Sequence, residues 1–136
     1  MNHAALRDFI LDWETQTFRY GRSDCAIFVI DALEKIFGHK LSTKLKKWSN
    51  KKEADRALEA HGGGVEEAAA MVAQLEGLEA LSKPLVRAGD VCVVDVGGRV
   101  ALGIMENAAD AVCLSPKGLV RVPKQLVLRG WRVSHA

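Results

Sequence analysis

The chain has 136 residues, of which 49% are hydrophobic and 26% are charged, with 19 Lys and Arg against 17 Asp and Glu. This length and composition are typical of one soluble globular domain. The near balance of charge argues against a nucleic-acid partner, because the global field is too weak to attract one. Three cysteines without a C-x-x-C pair exclude a disulfide framework and a zinc cluster, and no motif indicates a cofactor or a metal ion.

The sequence also excludes the usual membrane and export signals. No stretch approaches the roughly 20 apolar residues needed to span a bilayer. The N-terminal residues 1–5, Met-Asn-His-Ala-Ala, lack the basic and apolar regions of a secretory signal. We therefore expect a cytoplasmic product with free thiols and no membrane span.

Two amphipathic helices are predicted in the first third of the chain. Apolar residues at helical spacing predict a helix over 4–14. A longer apolar stripe follows, with Ser23 or Asp24 as N-cap and Gly38 as the C-terminal stop. The members of this stripe are Cys25, Phe28, Val29, Ala32, Leu33, Ile36 and Phe37. A buried helix that begins near Cys25 is the prediction.

The middle of the chain is rich in lysine and then in helix signals. Six lysines surround Trp48 between residues 40 and 52, without a balancing acid. We interpret them as a solvated loop, and the alternative is a patch for an anionic surface or nucleic acid. Asn50 with Glu53 forms a capping-box pattern that opens a helix ending at His61. A further helix is predicted over 65–75.

After Arg87 the hydrophobic pattern alternates with a period of two residues. Strands are predicted over 91–96, 100–105, 111–114, 119–122 and 131–133, and Gly97-Gly98 suits a tight hairpin between the first two. Asp90 and Asp95, which flank the first strand, are expected to be solvent-facing turn residues. Helices followed by an antiparallel sheet of about five strands predict an α+β fold.

Cys25 is the residue most suited to chemistry. A helix N-terminus carries unpaired N–H groups and a partial positive charge, which favour thiolate over thiol. The competing interpretation is a small apolar residue that simply begins the core stripe. Cys92 and Cys113 fall within predicted strands, where we expect small buried hydrophobes.

Several segments in order along the chain resemble a known family. Residues 18–29 read Phe-Arg-Tyr-Gly-Arg-Ser-Asp-Cys-Ala-Ile-Phe-Val, residues 88–94 Ala-Gly-Asp-Val-Cys-Val-Val, and residues 100–104 Val-Ala-Leu-Gly-Ile. They resemble the nucleophile turn and two strands of the NlpC-type cell-wall peptidases, which are papain-like cysteine hydrolases. The resemblance covers about 18–123 and is nearest to a phage or prophage tail-module branch. It implies one NlpC-like domain over 1–136, with the Cys helix packed on the sheet and a helical insertion at about 40–84.

The resemblance also assigns roles to individual positions. It implies that Cys25 is the nucleophile and that Tyr20 and Asp24 lie near the substrate, although an N-cap role for Asp24 and a packing role for Tyr20 explain them equally well. Where the family has its catalytic histidine this chain has Ala101, and the third triad position is Cys113. Without a base, the helix dipole supplies only half of the hydrolytic mechanism.

Three functional hypotheses follow. The favoured one is a degenerate peptidase-like domain, located in a phage tail, that binds a peptidoglycan peptide or a tail protein. The second is an active cysteine hydrolase or acyltransferase of peptidoglycan peptides with a non-standard base that the sequence does not identify. His61 could fold over the cleft, but a surface or helix-capping role is the favoured interpretation, because a lone His near a helix C-terminus usually interacts with the helix dipole. His39 follows the far end of the Cys25 helix, and His3 and His135 are terminal. The third is a basic adaptor that uses the lysine cluster. The sequence leaves the oligomeric state open.

Overall fold

The computed structural model describes residues 3–15, 25–36, 38, 65–115 and 117–133. Within them, helices α1 (His3–Trp13), α2 (Cys25–Lys35) and α3 (Val65–Leu75) precede an antiparallel sheet. The strands are β1 (Glu79–Ser82), β2 (Val91–Val96), β3 (Arg99–Met105), β4 (Asp110–Ser115), β5 (Gly118–Pro123) and β6 (Val127–Arg132), in the spatial order β1-β6-β2-β3-β4-β5. The predicted α+β class is confirmed, with six strands instead of about five.

The three helices agree with the predicted ones to within a few residues. α2 begins at Cys25, and Gly38 beyond its end has a φ of 64°. α3 is followed by Gly77, with a φ of 72°, which a residue with a side chain adopts only under strain. None of the described helices is long and apolar enough to cross a membrane. The lysine cluster and the helix predicted over 50–61 lie outside the described residues.

One strand has no counterpart in the sequence prediction. β1 pairs with β6, with Glu79 opposite Arg132 and Leu81 opposite Gly130. It lies within the segment that the sequence analysis expects to be helical. Only Leu81 of its four residues is buried, so the strand has no alternating hydrophobic pattern from which it could be predicted. β6 also begins at Val127, earlier than the predicted 131, because a register shift opposite Val93 and Val94 interrupts its pattern.

The sheet has two buried faces. The helix face carries side chains such as Val91 and Val93, which pack against α1, α2 and α3. The inner face carries the alternate residues, such as Cys92 and Val94, and among the described residues it is filled by side chains of strands and turns. The inner-face cluster consists of Leu81, Val86, Cys92, Val94, Met105, Ala111, Cys113, Val122 and Val127.

Small residues form a row across the inner face. Cys92 on β2 lies opposite Gly103 on β3 and Gly130 on β6. A Cβ placed on Gly130 would lie 2.6 Å from the carbonyl oxygen of Val91, and one on Gly103 would lie 2.6 Å from that of Val112. Both distances are far below van der Waals contact, so the close backbone approach on this face requires glycine.

Candidate functional site

α2 places Cys25 at its first residue and packs against β3 and β4. Phe28, one turn further, is fully buried, and its ring centroid lies 5.5 Å from that of Phe9 and 5.4 Å from that of Trp13. This aromatic contact holds α2 against α1. Position 25 is therefore at the N-terminus of a helix fixed to the sheet, where the positive end of the helix dipole favours a thiolate. The Cys25 side chain itself is outside the described atoms.

Ala101, the position of the family histidine in the resemblance, lies on β3 opposite Val94. Its methyl group packs against the inner-face cluster, whereas the neighbouring Leu102 packs against the helix face. Position 101 is thus on the face of the sheet that α2 does not cover. A methyl group in apolar surroundings supplies neither acid nor base.

Cys113, the third triad position in the resemblance, is buried on β4 opposite Val120. It borders Gly103, since a Cβ there would lie 3.3 Å from the Cys113 Cβ, and Cys92 lies on the other side of Gly103. Burial raises the pKa of the Cys92 thiol well above its usual range, and electrostatic interactions with Cys113 and Asp90 raise this pKa further. Cys92 and Cys113 are both buried and neither forms a disulfide, which confirms the prediction for these two residues.

The sheet thus brings positions 101 and 113 to one face on neighbouring strands, while the described core of α2 contacts the other face. Tyr20, Asp24, His39, His61 and His135 lie outside the described residues, and His3 is described in its backbone alone. In the described ranges no group of three or more His, Cys, Asp or Glu residues is suited to a metal ion. What this part of the site offers is apolar packing and a helix N-terminus.

Asp90 is buried, contrary to the sequence prediction. Only 4% of the residue is exposed, so the prediction of a solvent-facing residue is wrong. Its carboxylate accepts hydrogen bonds from the backbone N–H of Arg87 at 2.8 Å and from Nη2 of Arg132 at 3.1 Å. The pair joins the turn before β2 to the end of β6, and the bond to Asp90 raises the pKa of Arg132. No local pattern predicts this pair, because its members are 42 residues apart.

Arg121 forms a second charged cluster, which is more exposed. Its Nε donates to Glu106 at 2.9 Å, and its Nη2 donates to Glu106 at 3.1 Å and to Glu14 at 3.0 Å. The bonds to Glu106 and Glu14 raise the pKa of the guanidinium, which stays charged. Because Glu14 follows α1 and Arg121 lies on β5, the cluster ties the first helix to the edge of the sheet. Asp95 is not the solvent-facing turn residue that the sequence predicts either: it lies within β2, is partly buried, and its carboxylate accepts a hydrogen bond from the Gly98 N–H at 2.8 Å.

Comparison with known proteins gives a family and no activity. Residues 2–133, nearly the whole chain, match the family described as a domain of unknown function, DUF6950. No curated protein matches the sequence.

Proposed function

This chain belongs to the DUF6950 family, and we propose that it is a phage or prophage tail-associated domain of NlpC-type, papain-like descent that binds its partner without hydrolysing it. The partner is a peptidoglycan peptide or a tail protein. The observation that carries the proposal is that the cysteine-initiated helix α2 packs on β3 and β4, while Ala101 and Cys113, which occupy the histidine and third triad positions of the NlpC resemblance, lie on the opposite face of these strands.

The chemistry of a cysteine hydrolase explains why this pairing favours binding. The base must take the thiol proton and later protonate the leaving amine, so it must lie within hydrogen-bond reach of the sulfur. Ala101 has no titratable atom and packs into the inner-face cluster. Loss of such a general base removes a factor on the order of 10² to 10⁴ in rate.

The second candidate is an active hydrolase or acyltransferase of peptidoglycan peptides. The position of Cys25 at the start of α2 favours it, because that position lowers the pKa of a thiol. It requires a base from elsewhere in the chain, for which His61 is the candidate.

Incubation with purified peptidoglycan sacculi and soluble muropeptides separates the two candidates. We expect the protein to co-sediment with sacculi or to bind muropeptides in calorimetry, with no release of cleaved peptide. The Cys25→Ala variant should bind with the same affinity, and Cys92→Ala is a matched control for loss of a thiol outside the candidate site. Peptide release that Cys25→Ala abolishes would establish the hydrolase instead. Absence of binding would remove peptidoglycan and leave the tail protein as the partner to test.

Thiol labelling provides an independent measure. Cys92 and Cys113 are buried and serve as slow internal references. A Cys25 without a base should react with iodoacetamide with the pH dependence of a simple helix-start thiol, as one ionisation. A bell-shaped or two-step profile that His61→Ala reduces to one step would show a working thiol–imidazole pair.

A further inference from the structure

Two short turns on the described surface have the same construction. The 3₁₀ turns Lys83–Leu85 and Lys124–Leu126 follow β1 and β5, and each has the order lysine, a second residue, leucine. Each is followed by a valine, Val86 or Val127, that is 1% exposed and belongs to the inner-face cluster. The N–H of each valine donates to the carbonyl of the lysine that begins its own turn.

The two turns bind each other reciprocally. Nζ of Lys83 donates to the backbone carbonyl of Gln125, and Nζ of Lys124 donates to that of Pro84 at 3.5 Å. Each lysine thus reaches the middle residue of the opposite turn. Nη2 of Arg132 donates to the carbonyl that ends the first turn at 3.0 Å. The backbone of both turns is held in place before any partner arrives, which lowers the entropy cost of binding.

The leucines that end these turns are exposed: Leu85 by 61% and Leu126 by 43%. We call Lys83, Leu85, Lys124 and Leu126 the twin-turn surface. Segments 82–88 and 122–129, which contain it, carry basic residues and no Asp or Glu. Two rigidly mounted leucines in basic surroundings fit a partner with an apolar centre and acidic flanks.

α1 has an exposed face with an apolar centre and acidic flanks. Leu11 is 52% exposed, and Asp8 and Asp12, which are exposed as well, lie three residues before it and one after it. These three residues form the α1 outer face, opposite the buried side of the helix. The only ion pair described for these carboxylates, between Arg7 and Asp8, is long at 3.9 Å and largely exposed, so it competes little with a partner.

We infer that the twin-turn surface of one copy binds the α1 outer face of a second copy. Two twin-turn surfaces would place lysine against lysine, so a symmetric contact through this surface is disfavoured. The contact is therefore head-to-tail, and repeated use of it extends a ring or a row of copies. This inference does not depend on Cys25 and stands whether the domain binds or hydrolyses peptidoglycan peptides.

Sedimentation velocity over a concentration series tests the contact. We expect wild-type protein to form dimers and larger species as its concentration approaches the millimolar range, and less so at high salt because the contact is charged. Leu85→Glu with Leu126→Glu, and separately Asp8→Asn with Asp12→Asn, should each weaken association roughly tenfold or more. Val100→Glu is the matched control, since Val100 is 41% exposed and lies in neither surface. Circular dichroism checks that each variant is folded.

A mixture of the two double variants is the decisive measurement. Each retains the surface that the other has lost, so the mixture should form a dimer that cannot grow further. A wild-type protein that stays monomeric at every concentration would overturn the inference, as would a mixture without dimers or a Val100→Glu variant that loses as much association. Binding of the wild type to phosphatidylserine vesicles without self-association would also overturn it and identify an anionic membrane as the partner.

Discussion

On the helix face of the sheet, large side chains from α1 and α2, together with alanines from α3, fill the space above the strands, and Phe28, Phe9 and Trp13 are in mutual contact. On the inner face, valines and cysteines from the strands fill it, and two glycines allow the backbones to approach closely. Deletion of side-chain volume should therefore be the worst change on the helix face. Addition of volume should be the worst change on the inner face.

The largest effect is expected from Phe28→Ala. Removal of this fully buried ring opens a cavity between α1, α2 and the sheet, and should lower the free energy of unfolding by about 3–5 kcal/mol. Phe28→Leu, which retains much of the volume, is the control and should cost markedly less. Urea denaturation measures both, and equal losses would show that the aromatic contact with Phe9 and Trp13 does not fill the site as described.

Gly130→Ala tests the inner face by adding side-chain volume instead of removing it. The added methyl group would meet the carbonyl oxygen of Val91 at 2.6 Å and a methyl of Val86 at 2.9 Å, so the backbone must move, at about 2–3 kcal/mol. Gly97→Ala is the contrasting control, because Gly97 has open space and a φ of 60°, and should cost roughly 1–2 kcal/mol. If Gly130→Ala proves the milder change, the close approach is not a constraint.

Asp90→Asn tests the buried ion pair that joins the turn before β2 to the end of β6. The change retains the shape of the side chain but leaves Arg132 without its carboxylate, and should cost about 2 kcal/mol, less than for a fully buried pair because Arg132 reaches solvent. Glu106→Gln in the exposed Arg121 cluster is the matched control and should cost below about 1 kcal/mol. Thermal unfolding at neutral pH compares the two, and equal losses would contradict a special role for the buried pair.

The smallest effect concerns pH and Cys92. The pKa of this thiol is raised in the folded state, so the unfolded chain releases the proton first as the pH rises. The contribution of the buried thiol to the free energy of unfolding is fully present below the ordinary thiol pKa of about 8.5. Above that pH it decreases by about 1 kcal/mol per pH unit. Cys92→Ala should remove this part of the alkaline slope. Urea denaturation of both proteins at several alkaline pH values measures it, and parallel slopes would refute the prediction.

The two faces also differ in how far the sequence predicts them. Helical spacing correctly marks Leu6, Phe9, Ile10 and Trp13 in α1, because all four side chains lie on one side of one helix. β1 has no such signal, since three of its four residues are exposed and its pairing is with β6, about fifty residues later. The ion pair of Asp90 with Arg132 is missed for the same reason, because it depends on contacts distant in sequence.

The candidate site, too, is predicted from the sequence only in part. The helix start at Cys25 and the strand positions of Ala101 and Cys113 follow from local patterns, and the structure has them on the predicted elements. Which face of the sheet residue 101 occupies is a matter of register, since a shift of one residue would reverse it. That register is set by the pairing of β3 with β2. The alternation of apolar residues in β3 alone does not show which of its two faces lies toward α2.

The strand order has a consequence for synthesis of the protein. β6 is the last described strand to be translated, yet it lies between β1 and β2, and β1 has no other neighbour in the described sheet. Until residue 132 has left the ribosome, β1 has no partner strand and one side of β2 is unpaired. We therefore expect nascent chains that end within β6 to be easily digested by protease, and resistance to appear abruptly once that strand is free to insert.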